Sequence, residues 1–433
     1  MRTRISLRRG WPRLLCLAVI TALSGLVLAP GTAIAAHPHP RVVSEQPDAD
    51  TAELVSTSGV PRPRPDALAT SNDRVYLGGV FEAIEDDSGV HNRANVASVN
   101  ESTGQVLPFA PELNGAVDAL VAQGDSLYVG GRFTSVNGVS RRYLVKVNAV
   151  TGAVDQAFNA RLPGRVHDLA ISRGMLFAGG AFGANLLALD LNTGANTGYV
   201  NLDISGEQPN AWGTTAVYQF AIDPAGSRLV GVGNFTTVGG QSRQRAFMLD
   251  LNAGSATVDP WYYAPLAKAC AIVTPHMIAY LTDVDFAPDG SYFVLVSTGF
   301  VPRSGDLYET ICDATARFET GIPDPYRPTW INYTGGDTLT SVAATGAAVY
   351  VQGHNRWLDN PQGRDSAGPG AVNRLGIGAI DPTTGKALPW DPPKPARNGG
   401  EGFLATPNGL WVGSDSIKFA GKPHRGLAFV PLL

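Results

Sequence analysis

Apolar and polar residues alternate in short runs along most of the chain, and nearly every run stops at a turn former. Val117-Asp118-Ala119-Leu120-Val121 leads to a glycine turn, then Leu127 to Gly130, then Tyr143 to Val147, then a Thr-Gly turn into a last short run. Alternation with period two, bounded by Gly, Asn and Asp-Gly, predicts half-buried antiparallel strands.

The pattern repeats. Leu127-Tyr128-Val129-Gly130-Gly131-Arg132-Phe133 is echoed by Val75-Tyr76-Leu77-Gly78-Gly79-Val80-Phe81 and by Leu176-Phe177-Ala178-Gly179-Gly180-Ala181-Phe182. It returns at Leu229-Val230-Gly231-Val232-Gly233-Asn234-Phe235, with looser copies at Tyr292 to Phe300, Val349 to Gly353 and Leu410 to Ser414. Seven copies at roughly 50 to 65 residues, each read as four short strands, predict an all-β fold: a seven-bladed β-propeller of four-stranded antiparallel blades. One sheet cannot bury both faces alone, whereas blades packed in a ring can. The double glycine predicts a close backbone approach or a bulge. The last copy supplies about three strands, so Arg41 to Val55 is expected to donate the missing one and close the ring. The expected organisation is a leader over 1–36, an extension with the ring-closing strand over 37–64, and the propeller over 65–433.

Composition supports this reading. The 433 residues are 44% hydrophobic and only 16% charged, with 50 Gly and 31 Pro, against the folding of a disordered chain or a helical bundle. Arg2, Arg4, Arg8, Arg9 and Arg13 precede an apolar stretch from Leu14 to Leu28 and the small-x-small site Ala33-Ile34-Ala35, the pattern of a secretory leader cleaved after Ala35 or Ala36. No later stretch approaches the roughly 20 apolar residues of a membrane span. A secreted, extracellular protein is expected. With the five leader arginines gone, 28 basic residues face 37 acidic ones, net −9, which gives no electrostatic reason to bind nucleic acid or anionic lipid. Cys270 and Cys312 then remain, and an oxidising compartment predicts that they pair. His37-Pro38-His39-Pro40 reads as a flexible tail in preference to an amino-terminal copper chelate.

The Gly-Gly-x-Phe, Asn-Gly and Thr-Gly frame resembles the delta-sixty type of propeller repeat in secreted bacterial proteins. Asp283 to Phe293, Trp330 to Asp337, His354 to Pro361, Ala367 to Val372 and Gly409 to Asp415 resemble signatures of secreted actinobacterial propellers. The resemblance spans nearly the whole mature chain and implies the propeller fold and export. It carries no catalytic residue across.

Two sets of candidate site residues stand out. Aligning copies on the glycine turn puts Asp66, Asp118 and Glu401 at one position of the channel-lining strand, with Asp168, Asp283 and Asp285 close by. These carboxylates would either hold a cation such as Ca²⁺ or hydrogen-bond backbone groups of their own or the adjoining blade. Trp330, Tyr333, Asp337, His354, Arg356, Trp357 and Asp359 form the second set, in the connections around the sixth repeat. Aromatic faces with carboxylates and a guanidinium suit a carbohydrate; the competing reading buries the tryptophans between blades and pairs Arg356 with an Asp. The fifth repeat's excursions, Cys270 to Asp283 and Arg303 to Ile331, are expected to be functional embellishments, since such chemistry usually sits in loops. Ala379 to Lys386 with Trp390 resembles the tryptophan-docking turn of quinone-cofactor propellers but occurs in one copy only, and reads as an ordinary Thr-Gly turn. There is no Gly-x-Ser-x-Gly elbow and no His-Glu-x-x-His helix. The expected function is a monomeric binding module without a required cofactor, recognising a glycan, a cell-wall polymer or another exported protein. The alternative is a hydrolase or lyase of extracellular polysaccharide.

Overall fold

The computed structural model describes residues 37–56, 62–211, 213–271, 279–395 and 399–432; the leader lies outside them. The fold is all-β, with one short 3₁₀ turn at Ala264–Ala267. Seven principal sheets follow one another along the described chain, each antiparallel and each built in sequence order from its inner strand outward. Their inner strands are Arg64–Ser71, Val117–Gln123, Val166–Ser172, Val217–Ile222, Leu281–Phe286, Leu339–Ala344 and Gly400–Thr406. Sheets four and five have four strands, ending on Ala256–Val258 and Trp330–Tyr333. In sheets one, two, three and six the expected fourth strand shrinks to a single bridge, Val99 to Val106, Val147 to Val154, Leu189 to Asn196 and Ile380 to Ala387. The turn just before these bridges is tight because Asn148 or Asp190 caps it, accepting hydrogen bonds from the next backbone N–H groups.

The double glycine has two separate jobs. A Cβ on Gly79, Gly131, Gly180 or Gly233 would run into a carbonyl of the sheet's own inner strand or the residue ahead of it: Arg64 O, Ala116 O, Arg165 O or Ala216 O. A Cβ on Gly78 or Gly130 would instead strike Val117 or Val166, which belong to the next sheet. The second glycine thus admits a bulge and the first admits a neighbour. The bulge recurs: in all seven inner strands the register shifts by one residue, at Asp66, Asp118, His167, Tyr218, Thr282, Thr340 and Glu401.

Apolar cores lie between neighbouring sheets. Tyr76 and Val96 pack on Leu120, Val129 and Val145 between sheets one and two, and equivalent cores fill each later joint. Leu404, Trp411 and Phe429 of sheet seven pack on Val75, Leu77 and Val99 of sheet one. A tyrosine ties each joint where the frame supplies one: Tyr76 donates to Ala149 O at 2.9 Å and Tyr128 to Leu191 O at 2.8 Å. Each also meets an aromatic beyond the Thr-Gly turn edge-on, Tyr76 with Phe109 and Tyr128 with Phe158. Trp390 holds that same place against Tyr350.

Tyr350 sits at the equivalent place in sheet six, facing sheet seven. Its hydroxyl instead accepts Val43 N at 2.9 Å, while Trp390 Nε1 donates to Ser44 O at 2.8 Å. Ser44 N and Asp48 N donate to Pro431 O and Phe429 O along the last strand, Leu427–Pro431. Farther on, Glu53–Val55 pairs with the first repeat's hairpin at Ala83–Asp86, and Leu54 N donates to Arg425 O. The segment expected to complete the seventh sheet therefore divides between the last repeat and the first. The flexible tail expected around His39 is not found: His39 is buried, with N bonded to Thr345 O and Nε2 to Thr406 O, both at 2.9 Å. Burial keeps its imidazole neutral by lowering its pKa.

Cys270 and Cys312 form a buried disulfide. It joins the segment leaving sheet four to the one entering Ala314–Glu319, and closing a loop of this length contributes about 4 kcal/mol in the chain-entropy model.

Gly131→Ala is expected to cost roughly 2 kcal/mol or more, because the added methyl meets backbone that cannot rotate away. Urea unfolding of the purified protein checks this; an unchanged midpoint would mean the strand and its neighbour are not held at contact distance.

Candidate functional site

The inner strands of all seven sheets line one channel cavity of about 240 Å³, and Asp66, Asp118, Asp168, Asp283 and Asp285 all border it. A second cavity, of about 430 Å³, opens at the N-terminal ends of those strands. Six of the seven bulge residues line this mouth: Asp66, Asp118, His167, Tyr218, Thr282 and Thr340. Glu401 is the seventh, on the inner strand of sheet seven, and its side chain lies outside the described residues. A bulge bends its strand and re-aims one side chain. Six equivalent bulges therefore bring residues from six distant positions to one opening.

The carboxylates divide by depth. Asp168, one residue beyond its bulge, accepts Leu169 N and, from the next sheet, Phe220 N, both at 2.8 Å. Asp283 repeats the arrangement with Val284 N and Val342 N, and Asp285 accepts Ala344 N, again at 2.8 Å. Their oxygens thus join sheet three to sheet four and sheet five to sheet six. Complete burial pushes Asp168 and Asp285 up to about 7 and Asp283 well above the usual carboxylate range, against the lowering effect of those hydrogen bonds. Among the described residues no group of three or more His, Cys, Asp or Glu is arranged to hold a metal ion.

The mouth carboxylates are ion-paired. Asp118 takes two hydrogen bonds of 2.7 Å from Arg165 Nε and Nη2, with Arg132 Nη2 at 3.5 Å. Asp66 accepts Arg64 Nε at 2.7 Å; burial raises it to about 6, partly offset by that arginine. Across the opening, His167 meets Tyr218 edge-on at 5.8 Å between ring centroids, and Tyr218 lies 6.0 Å from Tyr280. Burial lowers His167 to about 3, with Arg165 and Arg132 adding to the effect, so the imidazole is neutral. The mouth has an ionic side and an aromatic, hydroxyl-bearing side.

The seven candidate residues around the sixth repeat, Trp330 to Asp359, do not line either cavity. Trp330 is half-buried and donates Nε1 to Pro382 O at 2.8 Å. Tyr333 is 2% exposed, its hydroxyl donated to Thr310 O at 2.8 Å, so its ring offers no face to a ligand. Asp337 is buried and bonded to Arg356 Nη2 at 2.7 Å and Arg356 N at 2.9 Å. Arg356 also pairs with Asp365 and lies 4.3 Å above the Trp357 ring. Asp359 accepts Asn332 Nδ2 at 2.6 Å and Ala387 N at 3.1 Å. His354 is exposed. Asp337, Arg356 and Trp357 come together, but as part of the joint between sheets five and six.

Arg64, Arg132, Arg165, His167, Tyr218, Gln219 and Tyr280 were not singled out from sequence, although a signal existed. His167 and Tyr218 occupy the same repeat position as Asp66 and Asp118, and a search limited to acids passed over them.

No family model matches the chain, and no curated protein matches it. Similar solved structures include the computationally designed protein Ika8, at 14% identity and TM-score 0.46 over 88% of this chain and 99% of that one. Hydrazine synthase of Kuenenia stuttgartiensis matches at 14% identity and TM-score 0.43, over 70% of this chain and 78% of that one. The β-propeller domain of Cps50 (Swd1) from Myceliophteria thermophila matches at 9% identity and TM-score 0.44, over 84% and 96%. At these scores none of them assigns a fold or an activity to this chain. No described helix is long and apolar enough to cross a membrane.

The buried carboxyls carry a pH signature. A folded-state pKa near 7, raised above the unfolded value near 3.9, gives stability that is fully present below pH 4 and lost as pH rises through 7. Asp168→Asn removes that contribution. The stability of the wild type relative to this variant is therefore expected to fall between pH 4 and pH 8, whatever the baseline cost of the amide. Denaturant unfolding across that range reads it, and a constant difference would show that Asp168 is ionised throughout.

Proposed function

We propose that the chain is a secreted, seven-bladed β-propeller acting as a monomeric, non-catalytic binding module, with its ligand site at the mouth lined by the bulges. One observation carries the site: six of the seven sheets each turn one bulge residue toward the same opening, and these combine charge, aromatic rings and hydroxyls. That mixture in a cavity of about 430 Å³ falls in the size range of small-ligand sites, roughly 300 to 1,000 Å³. Packing of the seventh sheet on the first supports the ring, and the disulfide agrees with export, as the leader pattern does. The repeat frame supports kinship with delta-sixty-type propellers. The ligand is a glycan, a cell-wall polymer or another exported protein, and no cofactor is needed.

The reading is tested by sedimenting the purified protein with cell wall and with insoluble polysaccharides, then analysing pellet and supernatant. Retention without soluble fragments is expected, and Tyr218→Ala, checked for unchanged thermal unfolding, should weaken it by roughly tenfold or more. Retention indifferent to the mouth substitution would move the site elsewhere. Soluble fragments would make the protein a hydrolase or lyase.

A further inference from the structure

Four side chains of the mouth keep unused hydrogen-bonding capacity. Arg132 has a half-exposed guanidinium whose single described polar partner is Asp118, at 3.5 Å, and that carboxylate is already held by two shorter bonds from Arg165. The side chains of His167, Tyr218 and Gln219 line the same cavity and make no hydrogen bond among the described residues. Arg132 can only donate, whereas a neutral imidazole, a phenol and a carboxamide each donate and accept. A ligand matching this set presents one anion beside several groups that also donate and accept, next to an apolar ring face. Sugar hydroxyls are such groups, and the C–H face of a pyranose suits the Tyr218 and Tyr280 rings.

We infer that the mouth takes a carboxylated sugar, with the ligand carboxylate anchored on Arg132 and the ring set against Tyr218 beside His167 and Gln219. This rests on the mouth being the ligand site. The way Asp118 bridges Arg165 and Arg132 shows how a carboxylate is held there, and Arg132 retains donors to hold a second one. The described acids of the mouth do not repel it strongly. Asp118 is neutralised by Arg165, and Asp66 is paired with Arg64 and partly protonated near neutral pH. The chain as a whole is negative, so the polyanion is not drawn in from a distance, and selectivity arises at contact.

Titration calorimetry with trigalacturonate and with its fully methyl-esterified form separates the carboxylate from the ring. The free acid is expected to bind at least tenfold more tightly than the ester, as a charge-assisted bidentate contact allows, with the margin shrinking as salt is added. Arg132→Gln should bring the two affinities together by weakening the free acid much more than the ester, and Arg132→Lys should restore part of the difference. Asp118 keeps both Arg165 bonds in these variants, so the fold has no reason to fail. Equal binding of acid and ester overturns the anchor and leaves the mouth as the ligand site. Binding of neither overturns the carboxylated-sugar assignment, with the mouth itself still judged by retention on cell wall. Release of unsaturated uronates would uphold the anchor and overturn the non-catalytic reading.

Discussion

Two strands approach so closely at each double glycine that a single added methyl would strike backbone, and most of this architecture follows from that contact. The second glycine leaves room for the bulge of the inner strand, and the first leaves room for the neighbouring sheet. In six of the seven sheets the bulge then turns one residue toward a common opening. Packing and chemistry are thus set at one place in the repeat. A side chain at the second glycine would push the inner strand away and take the mouth residue with it.

The deeper carboxyls show how the same position serves stability. One residue past the bulge, Asp168 and Asp283 accept an N–H from their own strand and one from the next sheet. Backbone N–H groups on a channel-facing edge need partners, and a carboxyl supplies them where no strand is adjacent. Sheets lacking this acid carry Ala67, Ala119, Gln219, Ser341 or Gly402 there, so the acid clamp is used at two joints only. Repetition of the backbone does not require repetition of the side chain.

Much of the strand order was legible because alternation, double glycine and Thr-Gly turns are local signals. The channel-lining position was legible too, since Asp66, Asp118 and Glu401 fall at one place in the repeat, although the bulge was expected at the double glycine and lies on the inner strand opposite it. The mouth was not, because its members come from different repeats and differ in type: a search for carboxylates does not find His167 or Tyr218. The opposite error arose around Trp330 to Asp359. There aromatic and charged residues lie close in sequence and suggest a ligand surface, yet Tyr333 is buried in the core between sheets four and five, and Asp337 and Asp359 are hydrogen-bonded at the joint between sheets five and six. Nearness along the chain is weak evidence of a shared site when each sheet sends alternate residues to opposite neighbours. Trp390 is the instructive case: rare in its turn, it fills the place of Phe109 and Phe158 and uses its extra nitrogen to grip Ser44.

That grip makes the order of synthesis matter. Ser44 and Trp390 are separated by 346 residues, and Ser44 and Asp48 bond to a last strand formed by Leu427–Pro431. An emerging chain can assemble its early sheets side by side, each waiting only for the next. The early segment that belongs against the final strand has to wait for all of them, with Ser44 and Asp48 unpaired by that strand until then. During that interval the exposed edge is a ready template for a second molecule. Tyr350, Trp390 and the last strand act as a latch that is thrown only when the rest of the molecule is in place.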